Sequence, residues 1–489
     1  MKHLTHQCLF VSLSAAAVVA APLAIAGSSK EGRKKSGSST DVVLEWNGYV
    51  NELLADSGSL ENPGVATRSM AMMNLAMFDT VALLNGDDTF YDYGKLGDDK
   101  KKMRKASAEV AAAQASYKVL SSIFGETQQA ELNAYRKASL GGVKDKAAID
   151  LGNRVARSII ANRANDGYDS FVQYVPTGEI GGWEPDPVNP DQEAWGPAWG
   201  SVQTFASGGV SPYLPPAPPA LSSQEHADAY NEVKELGAID STTRTDEQTE
   251  IGLFWAYDRE GLGTPIALFN KAIQAVATQQ GNTFEENAEL FAMASVAMAD
   301  AGIVAWNSKF EHDLWRPVSG IRDGDLDGND LTEGVADWTP LGAPDGEELT
   351  GFTPPFPTYV SGHATFGGAL FEVLELWYGE DLEFTLSSAE LEHLLLDENA
   401  DLLAAYGLED LEDALRTFTF SEAALENSDS RVYLGIHWNY DSIDGQLAGE
   451  AVAQALFDSP FVANPEPSTL ALVACGLYGM LRRRGNASA

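Results

Sequence analysis

From Val42 to about Phe457, apolar residues recur at helical spacing, and alternating strand patterns of useful length are scarce. That texture confines the chain to an all-α fold of packed helices. Arg68 to Leu84 carries Met, Ala and Leu on one helical period, and the long Ala-rich stretch from Lys105 to Asn165 is broken around Gly141-Gly142. One segment departs from this. Tyr168 to Ser223 is dense in Pro, Gly and Trp, and it reads as a long ordered loop lying over the surface at the mouth of a site. Helical texture resumes at Gln224, and no internal repeat is visible. With 44% hydrophobic residues in 489, the chain has ample apolar surface for a core.

The two ends read as addresses. Lys2, the apolar run from Cys8 to Ala21 and the small-x-small Ala24-Ile25-Ala26 make residues 1–26 a secretory signal, followed by a flexible Ser/Gly/Lys linker over 27–40. Over 463–489, Pro465-Glu466-Pro467 precedes an apolar run from Ser468 to Leu481 closed by Arg482-Arg483-Arg484. As a helix that run is about 21 Å long, short of the roughly 30 Å hydrocarbon core, and the arginines would hold it at the cytoplasmic face. Both cysteines, Cys8 and Cys475, lie in these ends. The helical domain expected over 41–462 therefore has no thiol, disulfide or cysteine-based metal site. The tail resembles the PEP-CTERM sorting signal of Gram-negative bacteria. That resemblance implies exosortase-type sorting machinery and delivery to the cell surface or exopolysaccharide matrix.

The chain carries 32 Lys+Arg against 71 Asp+Glu, a formal charge of -39, which argues against nucleic acid or an anionic membrane as partner. Against that background three segments carry side chains whose convergence would make a local inversion of sign: Lys309 to Pro317, Ser361-Gly362-His363, and Ser430 to Asp441. Together they supply a point charge, two guanidinium forks, a hydroxyl beside an unhindered amide, and the histidines His363 and His437, which is the donor set for a tetrahedral oxyanion. Lys309 and Arg316 are seven apart, two turns of an uninterrupted helix, with Pro317 ending or bending it. Ser361 follows a Pro-rich stretch, which predicts a loop-to-helix junction favourable to an anion. His437 and Asp441 are four apart, so the carboxylate can orient the imidazole. Arg431 and His437 are out of phase on a straight helix, and Gly435 offers the break that brings both to one site.

Lys-x6-Arg-Pro, Ser-Gly-His and Ser-Arg-x5-His-x3-Asp, in this order, resemble the signature of the type 2 phosphatidic-acid phosphatase and vanadium haloperoxidase superfamily. The wording of Phe254–Asp258, Leu314–Arg322 and Pro355–Gly368 is similar to its vanadium chloroperoxidase branch. The resemblance implies two four-helix bundles with long ordered loops, the motifs lying in the half over 224–457, and a vanadate cofactor using hydrogen peroxide and halide. It implies His437 as the vanadium ligand and His363 as acid/base. Lys309, Arg316, Ser361, Gly362 and Arg431 would hold the anion, with Asp258 pairing Arg431. Lys309 would also polarise peroxide for halide attack, releasing hypohalous acid to an unknown organic acceptor. Phe356 and Trp306 would form the halide pocket; phenylalanine at 356 leans towards the chloroperoxidase-like branch, where bromoperoxidases tend to have histidine. Val360 stands where the family motif has proline, which loosens the turn ahead of Gly362.

Two alternatives remain open at the level of sequence. On the same scaffold, an exported acid phosphatase would use His437 as nucleophile and His363 to protonate the leaving oxygen. A matrix protein would bind anions without turnover. Asp323, Asp325 and Asp327 reproduce the first half of a calcium loop, but position 12 is Gly334, leaving a weak calcium candidate. His312 reads as a surface residue or one behind the site, and His226 and His393 as surface residues.

Overall fold

The computed structural model describes residues 41–56, 63–93, 105–187, 189–258, 261–344, 351–396 and 414–458. The secretory signal, the linker and the C-terminal sorting signal lie outside the described residues.

Helix starts are written in the sequence as side-chain acceptors for the free amides of the first turn. α1 (Val42–Asp56) begins with Asp41 Oδ1 accepting from the Val43 amide at 2.7 Å. α2 (Pro63–Asn85) opens on proline; α3 (Ala108–Ser139) and α4 (Lys146–Asn162) are capped by Ser107 and Asp145. Asp145 also accepts from the Ser107 amide at 2.9 Å and so ties the two starts together. α5 (Gln224–Leu236), α6 (Asp246–Phe254) and α7 (Thr264–Gln280) follow the long loop. α8 (Phe284–His312), α9 (Pro317–Arg322), α10 (Gly362–Tyr378), α11 (Ala389–Leu396), α12 (Phe420–Tyr433) and α13 (Asn439–Asp458) complete the described helices. α6, α8 and α12 each start on a reciprocal Thr–Gln/Glu capping box. A two-stranded antiparallel ribbon, β1 (Phe384–Ser387) with β2 (Leu415–Phe418), is the small departure from an all-helical chain.

α8 organises the fold. Its 29 residues are apolar almost all round, which is the composition of a helix buried on every side. Among the described residues it alone is long and apolar enough to cross a membrane, and 94% of its apolar window is buried inside the protein. α2 packs on one flank, with α1, α3 and α4 behind it; α10 and α13 pack on the other, with α12 against α10. The two expected bundles are therefore two helix groups that share α8. Buried polar groups key the first group: Asn74 Nδ2 donates to Ser295 Oγ at 2.8 Å, and Asn47 Nδ2 donates to Asn74 Oδ1 at 2.8 Å.

The Pro/Gly/Trp-rich loop lies over this frame as the sequence predicts. Asp300 on α8 is buried and accepts from the amides of Phe205, Ala206 and Ser207 at 2.5, 2.9 and 2.8 Å. Gly200 runs so close to α8 that a β-carbon would sit 2.4 Å from the Asn307 α-carbon, so only glycine fits there. The Trp195 amide donates to the Pro355 carbonyl at 2.8 Å, bringing the loop to the segment ahead of α10.

Candidate active site

Lys309 and Arg316 reach one place by a route other than the one their spacing predicts. α8 ends at His312, where Asp313 adopts a left-handed conformation (φ 49°) and its amide closes onto the Lys309 carbonyl. Arg316 is then the N-cap of α9, with Pro317 at the first helical position. The uninterrupted helix is thus corrected to a helix end, a turn and a new helix. The turn is held from the loop: Tyr174 Oη donates to Asp313 Oδ1 at 2.5 Å, and the Trp183 amide donates to the Asp313 carbonyl at 2.9 Å.

Ser361 caps α10, so the amides of Gly362 and His363 open that helix without intrahelical partners. The turn before it is firm despite Val360: the Ser361 amide donates to the Asp441 carbonyl at 2.9 Å, and Val360 is fully buried. Arg431 lies in the last turn of α12, and His437 sits in the link before α13. Gly435 (φ 72°) supplies the break between them, and a β-carbon there would meet the Gly237 carbonyl oxygen at 2.5 Å.

The result is a buried cluster of charge. Lys309, Arg316, Arg431, Ser361, His437 and Asp441 are each at most 2% exposed, and His363 is 8% exposed. Lys309 Nζ donates to the carbonyls of Pro357 and Thr358, both at 3.0 Å, and lies 4.9 Å from the Phe356 ring centroid. Arg316 donates from Nε to the Phe356 carbonyl (2.9 Å) and from Nη1 to the Ile436 carbonyl (2.8 Å) and His437 Nε2 (3.0 Å). Arg431 Nη2 donates to Asp258 Oδ2 at 2.9 Å. Arg316 Nη2 and Arg431 Nε are buried without a partner. Leaving charged donors unpaired in a dry pocket costs several kcal/mol. The chemistry of the pair, two planar forks beside an ammonium, therefore calls for an anion.

The tautomers follow from the partners. His437 Nδ1 lies 3.0 Å from Asp441 Oδ2, which also accepts from the Trp438 amide (3.0 Å) and the Thr358 hydroxyl. Nδ1 therefore carries the proton and Nε2 the lone pair, which accepts from Arg316. Burial, reinforced by Arg316, Lys309 and Arg431, holds the His437 imidazole well below its ordinary range and so unprotonated. His363 Nε2 lies 2.9 Å from the Ala256 carbonyl, which can only accept, so Nδ1 is its lone-pair nitrogen. Burial and the neighbouring Arg431 push His363 down as well. Burial lowers Lys309 well below its usual value and Arg316 to about 9, with neighbouring cations adding to the effect at Lys309. Burial raises Asp441 to about 7 against the pull of Thr358 and the Trp438 amide.

A cavity of about 550 Å³ opens over the cluster, lined by His363, His437, Arg431, Gly362 and Asp258 at its floor. Phe356 and Trp306 form one wall, their ring centroids 5.1 Å apart, and Trp195 from the long loop meets Trp306 at 5.0 Å. Sequence reasoning missed three contributors. Thr358 braces Asp441, the Ala256 carbonyl fixes His363, and Trp195 closes the wall. Thr358 and Ala256 lie inside quoted motif segments, whereas nothing in the sequence distinguishes Trp195 from the other loop tryptophans.

One expectation is corrected, and the weak calcium candidate gains no support. His226 is fully buried: Nδ1 lies 3.1 Å from Tyr440 Oη and the ring packs at 5.3 Å on Trp438, because at i, i+4 and i+7 it shares the buried face of α5 with Tyr230 and Val233. Asp323, Asp325 and Asp327 do not converge. Asp323 ends α9, Asp325 accepts from the Gly334 amide (3.0 Å), and Asp327 accepts from the Asn329 amide and the Thr332 hydroxyl (both 2.7 Å). Among the described residues no group of three or more His, Cys, Asp or Glu is placed to hold a metal ion. His312 is half-buried against the Tyr359 ring, and His393 is exposed as expected.

The model of the VCPO second helical-bundle domain matches residues 289–461, which spans α8, α10, α12 and α13. The vanadium chloroperoxidase of Curvularia inaequalis is 30% identical over 489 residues, covering 82% of this chain and 79% of that protein. In fold, the chain matches a bacterial vanadium-dependent iodoperoxidase with a TM-score of 0.69 at 23% identity, over 89% of this chain and all of that one. A bacterial vanadium-dependent chloroperoxidase matches with a TM-score of 0.62 at 15% identity, over 85% and 96%. The chain belongs to the vanadium haloperoxidase family.

Proposed function

We propose that the protein is a vanadate-dependent haloperoxidase that oxidises halide with hydrogen peroxide to hypohalous acid. The observation that carries this reading is the buried cradle in which Arg316 Nη1 donates to His437 Nε2 while Arg316 Nη2 and Arg431 Nε have no partner. Bound there, vanadate supplies an oxidised Lewis-acidic centre that activates peroxide towards halide.

The remaining work belongs to the chain. Lys309, Arg316 and Arg431 neutralise the anion, and the Ser361 hydroxyl and Gly362 amide hydrogen-bond it. His437 offers Nε2 as ligand, and Asp441 and Thr358 hold its ring in that tautomer. His363 takes and returns a proton at Nδ1, its ring fixed by the Ala256 carbonyl. Asp258 keeps the Arg431 fork in plane. Phe356 and Trp306 give the halide a dry wall beside the Lys309 ammonium, and phenylalanine at 356 supports a chloroperoxidase-like preference. The C-terminal pattern supports export to the cell surface or matrix through an exosortase.

A phosphatase reading uses the same atoms, since His437 Nε2 is equally a nucleophile oriented by Asp441. Parallel assays separate the two. Protein reconstituted with orthovanadate should halogenate a chromogenic acceptor in the presence of peroxide. Vanadate-free protein should leave a phosphate monoester intact. Monoester hydrolysis inhibited by vanadate, with no halogenation, would overturn the haloperoxidase reading.

A further inference from the structure

The cavity above the anion cradle measures about 550 Å³. Halide and peroxide together need little more than a few water volumes of roughly 30 Å³ each. The remaining space is in the range that encloses an organic molecule. Its walls suit an aromatic one: Trp195, Trp306 and Phe356 form an angled aromatic corner, with Trp195 meeting Trp306 edge-to-face at 5.0 Å and Phe356 tilted against it at 5.1 Å. The mouth has a different character. Asp191 and Glu193, exposed on the loop that carries Trp195, line the same cavity. From floor to mouth the sign of charge therefore inverts, with Arg431 buried below and two carboxylates at the entrance. Arg431 Nε is an unpartnered donor at that floor, which places the anion there and leaves the aromatic walls to a second molecule.

We propose that this upper volume binds the organic acceptor, and that the acceptor is a planar aromatic carrying a cationic amine. Its ring enters the corner between Trp195 and Trp306, stacking on one indole and meeting the other edge-on, and its ammonium group is held by Asp191 and Glu193. Indole faces stack with aromatic rings and attract cations, and exposed carboxylates add charge selection at the mouth. This assignment rests on the haloperoxidase reading. In the transfer step an aromatic C–H meets hypohalous acid. The carbon–halogen bond forms as the oxygen–halogen bond breaks, the carbon is oxidised as the halogen is reduced, and the ring proton leaves with the hydroxide as water. An acceptor already in the cavity meets the oxidant before it escapes, so binding rather than solution reactivity sets the choice of product.

Tyramine, 4-ethylphenol and 3-(4-hydroxyphenyl)propionate test this, because they share a ring and differ in charge. Each is titrated calorimetrically into vanadate-loaded protein without peroxide. Tyramine and the propionate then compete for bromination, beside the same mixture treated with reagent hypobromous acid. Tyramine should bind most tightly, the Asp191→Asn/Glu193→Gln protein should lose roughly three- to tenfold of that affinity, and its preference over 4-ethylphenol should collapse. The enzymatic product ratio should favour tyramine over the reagent ratio. Equal binding of the three compounds, or a product ratio equal to the reagent's, overturns the acceptor site while bromination of a dye leaves the haloperoxidase reading standing. Failure to brominate any acceptor overturns both.

Discussion

Asp441 is the residue on which the cradle turns. One carboxylate oxygen accepts from His437 Nδ1, the Trp438 amide and the Thr358 hydroxyl, and so fixes which nitrogen of His437 faces the anion. Asp441→Ala frees the imidazole, and vanadate affinity should fall by about 10- to 100-fold in a calorimetric titration, with unchanged affinity contradicting the role. Arg431→Lys keeps the charge but loses the fork that Asp258 and the Trp255 carbonyl orient, so affinity should drop about tenfold. His226 sets a pH dependence away from the cradle. Burial holds its pKa below the ordinary 6.5, so below that pH the unfolded chain binds more protons than the folded one and stability falls with pH. His226→Phe should make the loss of melting temperature as pH falls below 6.5 shallower than in the wild type. The cradle residues were legible because their chemistry is carried by short motifs. The burial of His226 was not, because its partner Tyr440 is 214 residues away along the chain.

At the scale of elements, the site depends on α10 and α13 lying unusually close. A β-carbon on Gly449 would come within 2.2 Å of the Thr365 carbonyl oxygen, and one on Gly445 within 2.9 Å of the Ser361 carbonyl oxygen. That approach sets the register in which the Ser361 amide meets the Asp441 carbonyl. Gly449→Ala should destabilise the protein by about 1–3 kcal/mol in urea unfolding, with a lower midpoint and an unchanged slope. Glycines four apart on a helix are visible in the sequence, but the helix they face is not. The same limit explains the break at Asp313. Local spacing favours one helix from Lys309 to Arg316, and the contacts that end it come from Tyr174 and Trp183 on the distant loop. The β1–β2 ribbon escaped notice because four-residue strands carry too short an alternation.

At the scale of the molecule, the catalytic motifs do not sit on a separable half. α8 belongs to both helix groups: it gives Lys309 to the cradle, Ser295 to Asn74, and Asp300 to the loop amides at 205–207. A chain reduced to residues 224–458 strips Ser295 and Asp300 of those partners and exposes the apolar flank that α2 covers. It should show no cooperative thermal transition, and a sharp calorimetric peak would contradict the shared-helix account. The all-helical class was legible from periodicity, and the loop from its proline and tryptophan content. The sharing of α8 was not, since a helix apolar all round does not say which neighbours take each side. This frame delivers His437 and the three buried cations Lys309, Arg316 and Arg431 to one anion. Titrating orthovanadate into the purified protein while following peroxide-dependent bromination tests this directly. Activity should saturate near one equivalent and be abolished in His437→Ala. Bromination without vanadate, or full activity in that variant, would contradict it.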